Sequence, residues 1–175
     1  MSLGGDELRK YFVIIALSVM LVACNSGPNN NHKPTDSSHS KLSFLQAKKQ
    51  GYVVAGPPGL ANVDKLEKFY EEYLNQISST VALAHYTDEG DPIYVDLEFN
   101  GEEILYTYDN SWDGFGGQNK GVRKTTCTQM NKRTGPRGDR NGTEYYLTSC
   151  KEDIGYSDPD REEYFLMFID DKERE

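Results

Sequence analysis

Residues 93–109 read IYVDLEFNGEEILYTYD. Ile93, Val95, Leu97 and Phe99 alternate with Tyr94, Asp96 and Glu98, the period of a strand with one buried face. Asn100-Gly101 supplies a two-residue turn, after which Glu103 to Asp109 return as a second strand. Such a turn sets Leu97 opposite Ile104, Val95 opposite Tyr106 and Ile93 opposite Tyr108, with Glu98 facing Glu103 on the other side. One face is then wholly apolar or aromatic and needs a cover.

Upstream, the sequence writes a helix. Asn62 is placed to cap it, Asp64 lies in its first turn, and Leu66, Phe69, Tyr70, Tyr73, Leu74 and Ile77 recur at helical spacing, with Glu67, Lys68, Glu71 and Glu72 on the opposite face. It is the one amphipathic helix the pattern shows. Gly56-Pro57-Pro58-Gly59 breaks the chain before it, and Tyr52 to Ala55 leads into the break as a short strand. Further strands are expected at Val81 to Tyr86, Val122 to Asn131, Thr143 to Cys150 and Tyr164 to Ile169, the last apolar on both faces and so expected in the sheet interior or covered on both sides. The fold class is α+β: one helix packed on a curved antiparallel sheet of five to six strands, a cystatin-like or nuclear-transport-factor-like roll.

The N-terminal end reads as an address. In RKYFVIIALSVMLVAC, residues 9–24, two cations precede an apolar run too short to span a bilayer but suited to a signal peptide. Leu21, Val22, Ala23 and Cys24 closely resemble the lipobox of bacterial lipoproteins, which implies a diacylglycerol thioether on Cys24 and removal of residues 1–23. The alternative is an ordinary secretory signal in which Cys24 is incidental. Asp6 and Glu7 oppose the cationic start, and LGGDE at 3–7 can be encoded by a ribosome-binding site, which places the expected start of translation at residue 8. Residues 24–41 form a flexible tether poor in large apolar side chains, with His32 and His39 as solvated spacers. Residues 42–175 form a single domain, and the low mean hydropathy of the whole chain, with its one long apolar run at the N-terminus, excludes a polytopic membrane protein.

With Cys24 lipidated, Cys127 and Cys150 remain, and in an extracytoplasmic chain an even pair reads as a disulfide. A metal pair would need further ligands nearby, and two free thiols are disfavoured by an oxidising location. If the two cysteines face each other across a hairpin, Met130 lies opposite Leu147 and Arg133 opposite Glu144.

Catalytic signatures are absent. His85 is the only histidine inside the domain, and no nucleophile elbow, zinc-protease helix or glycine-rich phosphate loop occurs. The carboxylates Asp88, Glu89, Asp91, Asp96 and Glu98 could supply a hydrolase pair, but solvated turns explain them as well. Asp109-Asn110-Ser111-Trp112-Asp113-Gly114 matches the first half of a calcium loop, with Asp109, Ser111 and Asp113 as possible metal ligands, yet Lys120 stands where a bidentate glutamate is required. Asp153, Asp158, Asp160 and Glu162 form another acidic cluster that fits no ligand pattern.

The whole chain carries a formal charge of -9, which argues against nucleic acid as a partner. Between 120 and 142, by contrast, Lys120, Arg123, Lys124, Lys132, Arg133, Arg137 and Arg140 meet a single carboxylate, Asp139. This basic hairpin either contacts an anionic polymer, lipid headgroups or an acidic protein, or complements the chain's own acidic remainder.

EGDPI at 89–93, LEFNGEEILYTYDNSWDGFGG at 97–117 and TEYYLTSC at 143–150 together resemble a family of small Gram-positive lipoproteins known as a domain of unknown function. The likeness spans roughly residues 50–150. It implies an envelope lipoprotein with one disulfide, and no activity or catalytic residue. Three functions are therefore in view. The first is a non-enzymatic, lipid-anchored binding module on the outer face of the cell membrane, meeting an envelope protein or anionic polymer. The second is a calcium- or ligand-dependent accessory protein using the loop from Asp109 to Gly117, and the third a carboxylate-dependent hydrolase.

Overall fold

A computed structural model describes residues 38–173 apart from 156 and 159. The expected signal peptide, Cys24 and most of the tether lie outside the described residues. Among the described residues no helix is long and apolar enough to cross a membrane.

Helix α1 (Phe44–Gln50) is followed by strands β1 (Val53–Gly56) and β2 (Gly59–Ala61), helix α2 (Val63–Leu74), and strands β3 (Ser79–Tyr86), β4 (Pro92–Phe99), β5 (Ile104–Asp109), β6 (Val122–Arg137), β7 (Arg140–Cys150) and β8 (Tyr164–Asp170). The eight strands form one curled sheet in the order β2-β1-β3-β4-β5-β6-β7-β8. From β3 to β8 it is an antiparallel meander. Strand β1 instead pairs parallel to β3, which the chain reaches through β2 and α2, because two parallel strands need a long crossover between them. The α+β class and the antiparallel meander stand, with eight strands rather than five or six and, among the described residues, two helices rather than one.

Helix α2 buries Leu66 and Phe69 against Val81, Leu83, Val95, Leu97, Ile104, Tyr106, Met130, Tyr145 and Leu147. Burial of side chains of this size contributes about 2 kcal/mol each. Asn62 does not cap α2 through its side chain: its backbone is left-handed at φ 58° and its Nδ2 donates to the carbonyls of Lys48 and Tyr52, tying α2 to the end of α1. Leu74 and Ile77, expected on the buried face, are exposed, because the helix ends at Leu74.

The hairpin of β4 and β5 keeps its apolar face but not its expected partners. Leu97 pairs with Tyr106, Val95 with Tyr108 and Phe99 with Ile104, while Glu98 faces Leu105 rather than Glu103. Asn100 causes the difference, since its Oδ1 accepts the backbone N–H groups of both Glu102 and Glu103 and closes a longer loop. Shifting the pairing by two residues leaves every side chain on its original face.

The second face of the sheet is not solvated. Tyr94 is fully buried there with Val54, Ala61, Ala84, Tyr86 and Trp112, under Ala47, Phe44 and Leu42. Helix α1 supplies part of this cover, and a capping box starts it: Ser43 accepts from the Gln46 N–H while the Gln46 side chain accepts from the Ser43 N–H.

Residues 38–42 supply the rest and lie as a strap, which corrects the reading of His39 as a solvated spacer. The imidazole stacks on Tyr94 with ring centroids 4.3 Å apart, Nε2 lies 2.9 Å from Asp96 Oδ2 and Nδ1 3.1 Å from the Tyr52 hydroxyl. Trp112 Nε1 donates to the His39 carbonyl, and the Tyr94 and Tyr86 hydroxyls donate to the carbonyls of Ser40 and Leu42. Desolvation pushes the Tyr94 phenol up to about 12 and Tyr86 higher still, so both remain protonated donors at neutral pH.

Candidate functional site

Strands β6 and β7 pair in the register expected if the two cysteines face each other across a hairpin, with Cys127 opposite Cys150, Met130 opposite Leu147 and Arg133 opposite Glu144. Cys127 and Cys150 are joined by a disulfide. Strand β5 pairs with β6 only from Val122 to Cys127. Beyond that point β6 has β7 alone beside it, while β7 keeps β8 on its other side from Gly142 to Leu147, and the β6–β7 hairpin runs on as an arm that turns at Gly138 and Asp139.

Three arginines lie along one face of this arm, each over an aromatic ring. The Arg133 guanidinium sits 4.4 Å from the Tyr146 ring centroid and Arg137 4.5 Å from that of Phe165, while Arg140 lies 5.5 Å from Phe168. Phe168 can lie this close to β7 because Gly142 faces it: a Cβ there would meet the Phe168 ring at 2.7 Å and overlap the Ile169 carbonyl.

The three differ in how their charge is met. Arg133 donates from Nη1 to both carboxylate oxygens of Glu163, at 3.0 and 2.8 Å, and from Nη2 to Glu144 at 2.8 Å. Desolvation opposes its charge, but the hydrogen bonds to Glu163 and Glu144 outweigh this and hold its pKa above the ordinary arginine range. Arg137 and Arg140 are exposed cross-strand partners, and among the described residues neither pairs with a carboxylate. Like charges directly opposite in a strand pair repel. Their stacking on Phe165 and Phe168 nevertheless holds both guanidiniums in place, a preorganised pair of forks suited to carboxylate or phosphate.

The remaining basic residues do not join them. Lys132 turns to the helix side of the arm, 4.9 Å over the Tyr70 ring of α2, and Lys120, Arg123 and Lys124 lie at the start of β6, the other end of a strand of 16 residues. The expected basic surface is thus three separate groups.

Strand β8, expected inside the sheet or covered on both sides, is an edge strand. Its outward rings Phe165 and Phe168 are shielded in part by the two arginines, Phe165 remaining exposed, which helps a strand apolar on both faces stand at an edge. The curl of the sheet brings β8 toward β1, β2 and β3, leaving a cavity of about 280 Å³ at the seam, lined by His85, Leu60, Met167, Phe168, Arg137 and Arg140 among others. His85 hydrogen-bonds the Leu166 backbone, and desolvation lowers its pKa to about 4, so the ring is neutral near pH 7.

The loop after β5 holds itself together. Asp109 is fully buried: its Oδ1 accepts the Ser111 N–H, and its Oδ2 accepts the N–H and hydroxyl of Ser38. Asp113 accepts the Phe115 N–H, and Ser111 Oγ is buried. Among the described residues no three His, Cys, Asp or Glu side chains converge on a metal position. Of the carboxylates weighed for hydrolysis, Asp91 binds Lys41 and the Gly114 N–H, which hold its pKa below the usual carboxylate range, and Asp96 holds His39.

Residues 50–143 match the model of one family, Domain of unknown function (DUF4362). The chain belongs to this family. The matched segment of the DUF4362 domain contains Cys127, Arg133, Arg137 and Arg140, whereas Cys150, Phe165 and Phe168 lie beyond it. No curated protein and no solved structure matches the chain.

Proposed function

We propose that this protein is a non-enzymatic, lipid-anchored binding module of the cell envelope, and that Arg137 and Arg140 at the end of the arm contact an anionic partner. The lipobox-like run ending at Cys24 and the disulfide support an extracytoplasmic place for it. The observation that carries the binding role is the contrast along the arm: Arg133 meets two carboxylates, whereas Arg137 and Arg140 face each other with none among the described residues. A structural arginine is neutralised where it sits, and a paired, stacked, exposed set is arranged for a charge that comes from outside.

The arm also has a direction. Ser38, where the described chain begins, is bound to Asp109, and Asp109 pairs with Val122 at the first residue of β6. Arg137 is the last residue of that strand, roughly 50 Å away along an extended chain. The basic end therefore lies at the far end of β6 from Ser38. The curled sheet around α2 is close in shape to a cystatin-like or nuclear-transport-factor-like roll, a likeness that supplies no ligand.

Retention of the full chain on an anionic resin tests the proposal. The Arg137→Glu/Arg140→Glu double variant should elute at clearly lower salt, while Lys120→Glu/Lys124→Glu, which changes net charge equally, should shift elution much less. Equal shifts would reduce the effect to net charge and remove the site.

A further inference from the structure

The seam cavity narrows the chemistry of what the arginine pair can hold. It lies where the β1–β2 hairpin on one side and β8 on the other leave the curled sheet unclosed. Arg137 and Arg140 line the same cavity as the apolar side chains of Leu60, Met167 and Phe168. Glu173 is the one carboxylate lining it among the described residues, and its Oε1 lies 3.8 Å from where a Cβ on Gly59 would stand. His85 adds no charge near neutral pH.

We propose that this cavity is a binding site for a small monocarboxylic acid with a short aliphatic or aromatic body, the carboxylate on Arg137 and Arg140 and the body against Leu60, Met167 and Phe168. The proposal rests on the reading of the two arginines as anion contacts. Two guanidinium forks match a planar carboxylate. The apolar wall favours a ligand that carries its own apolar surface, because a compact, strongly hydrated anion gains nothing from it and loses water on approach. At about 280 Å³ the cavity stands at the small end of ligand sites, which fits a body of a few carbons rather than a fatty chain.

Titrating the full chain with 4-methylvalerate, acetate, inorganic phosphate and 4-methylvaleramide, followed through the Met167 methyl and His85 ring resonances, tests this. 4-Methylvalerate should bind at least about tenfold more tightly than acetate, phosphate or the uncharged amide. Arg137→Ala/Arg140→Ala should abolish the binding, and Leu60→Trp, which fills the cavity from the short edge strand β2, should weaken it by more than its effect on the melting temperature accounts for. If Leu60→Trp fails to fold, Leu60→Glu at the same place reads the same wall. Equal affinity for acetate and 4-methylvalerate, or equal affinity for acid and amide, overturns the proposal. If the acids fail to bind while polyglutamate still binds through the arginines, only this site falls; if nothing anionic binds, the arginine reading falls with it.

Discussion

Cys127 and Cys150 are joined at the residue where β6 stops pairing with β5, Ile104 being the last partner of Cys127 on that side. The disulfide therefore sits at the base of the arm. Beyond this point β6 loses β5 and pairs with β7 alone, and the crosslink sets the hairpin's register where that support ends.

Cys127→Ser/Cys150→Ser is expected to cost about 3 kcal/mol through the freedom the denatured chain regains. That corresponds to a melting temperature lower by roughly 10 °C in a domain of this size. Amide exchange should rise most between Thr128 and Ser149, and uniform exchange across the sheet would contradict the placement of the crosslink at the arm's base.

The single tryptophan reports the strap. His39→Ala removes the stack on Tyr94 and the contacts with Asp96 and Tyr52, an expected loss of about 2 kcal/mol. Trp112 emission should shift to longer wavelength, because the carbonyl that its indole binds belongs to the same residue. An unchanged spectrum and melting curve would show that residues 38–42 are not held.

How much of this was legible follows from where each partner lies in the sequence. The β6–β7 register was readable because Cys127 with Cys150, Arg133 with Glu144 and Met130 with Leu147 agree on one pairing. The β4–β5 register slipped by two because the Asn100 side chain, not Asn100-Gly101 alone, closes the loop. Helix α1 was missed although Ser43 and Gln46 write its cap, since seven residues burying only Ala47 leave no apolar stripe. His39 looked solvated because its partners Tyr52, Tyr94 and Asp96 are distant in the chain. In the candidate site the charges of Arg137 and Arg140 were visible, and the rings that hold them were not, because β8 joins β7 only in the fold.

Asp109 holds the Ser38 and Ser111 donors of the fold. Asp109→Ala leaves the Ser111 N–H and the Ser38 donors without their acceptor, an expected cost of about 2 to 3 kcal/mol. The loss should be the same in calcium and in chelator, and calcium should leave the wild-type melting temperature unchanged. A rise of several degrees in calcium that Asp109→Ala abolishes would restore the metal reading.

The pKa of His85 is lowered from 6.5 to about 4 by desolvation. Between these values the unfolded chain binds the proton that the folded chain refuses, so stability is full above pH 6.5 and is lost as pH falls toward 4. For a ring only partly covered the contribution is on the order of 2 kcal/mol. Denaturant midpoints measured from pH 7 to 4 should fall less steeply in His85→Gln than in the wild type, and parallel slopes would contradict the burial of a neutral ring.

The most direct test of the central claim is the affinity of the full chain for polyglutamate in Arg137→Ala/Arg140→Ala, set beside Arg133→Ala and the wild type. The double variant should bind at least about tenfold more weakly with a melting temperature lowered only slightly by the loss of the stacks on Phe165 and Phe168, and Arg133→Ala should lose more stability through the unpaired, half-buried charges of Glu144 and Glu163 with far less effect on binding. Wild-type affinity in the double variant would contradict the account and return Arg137 and Arg140 to a purely structural role over Phe165 and Phe168.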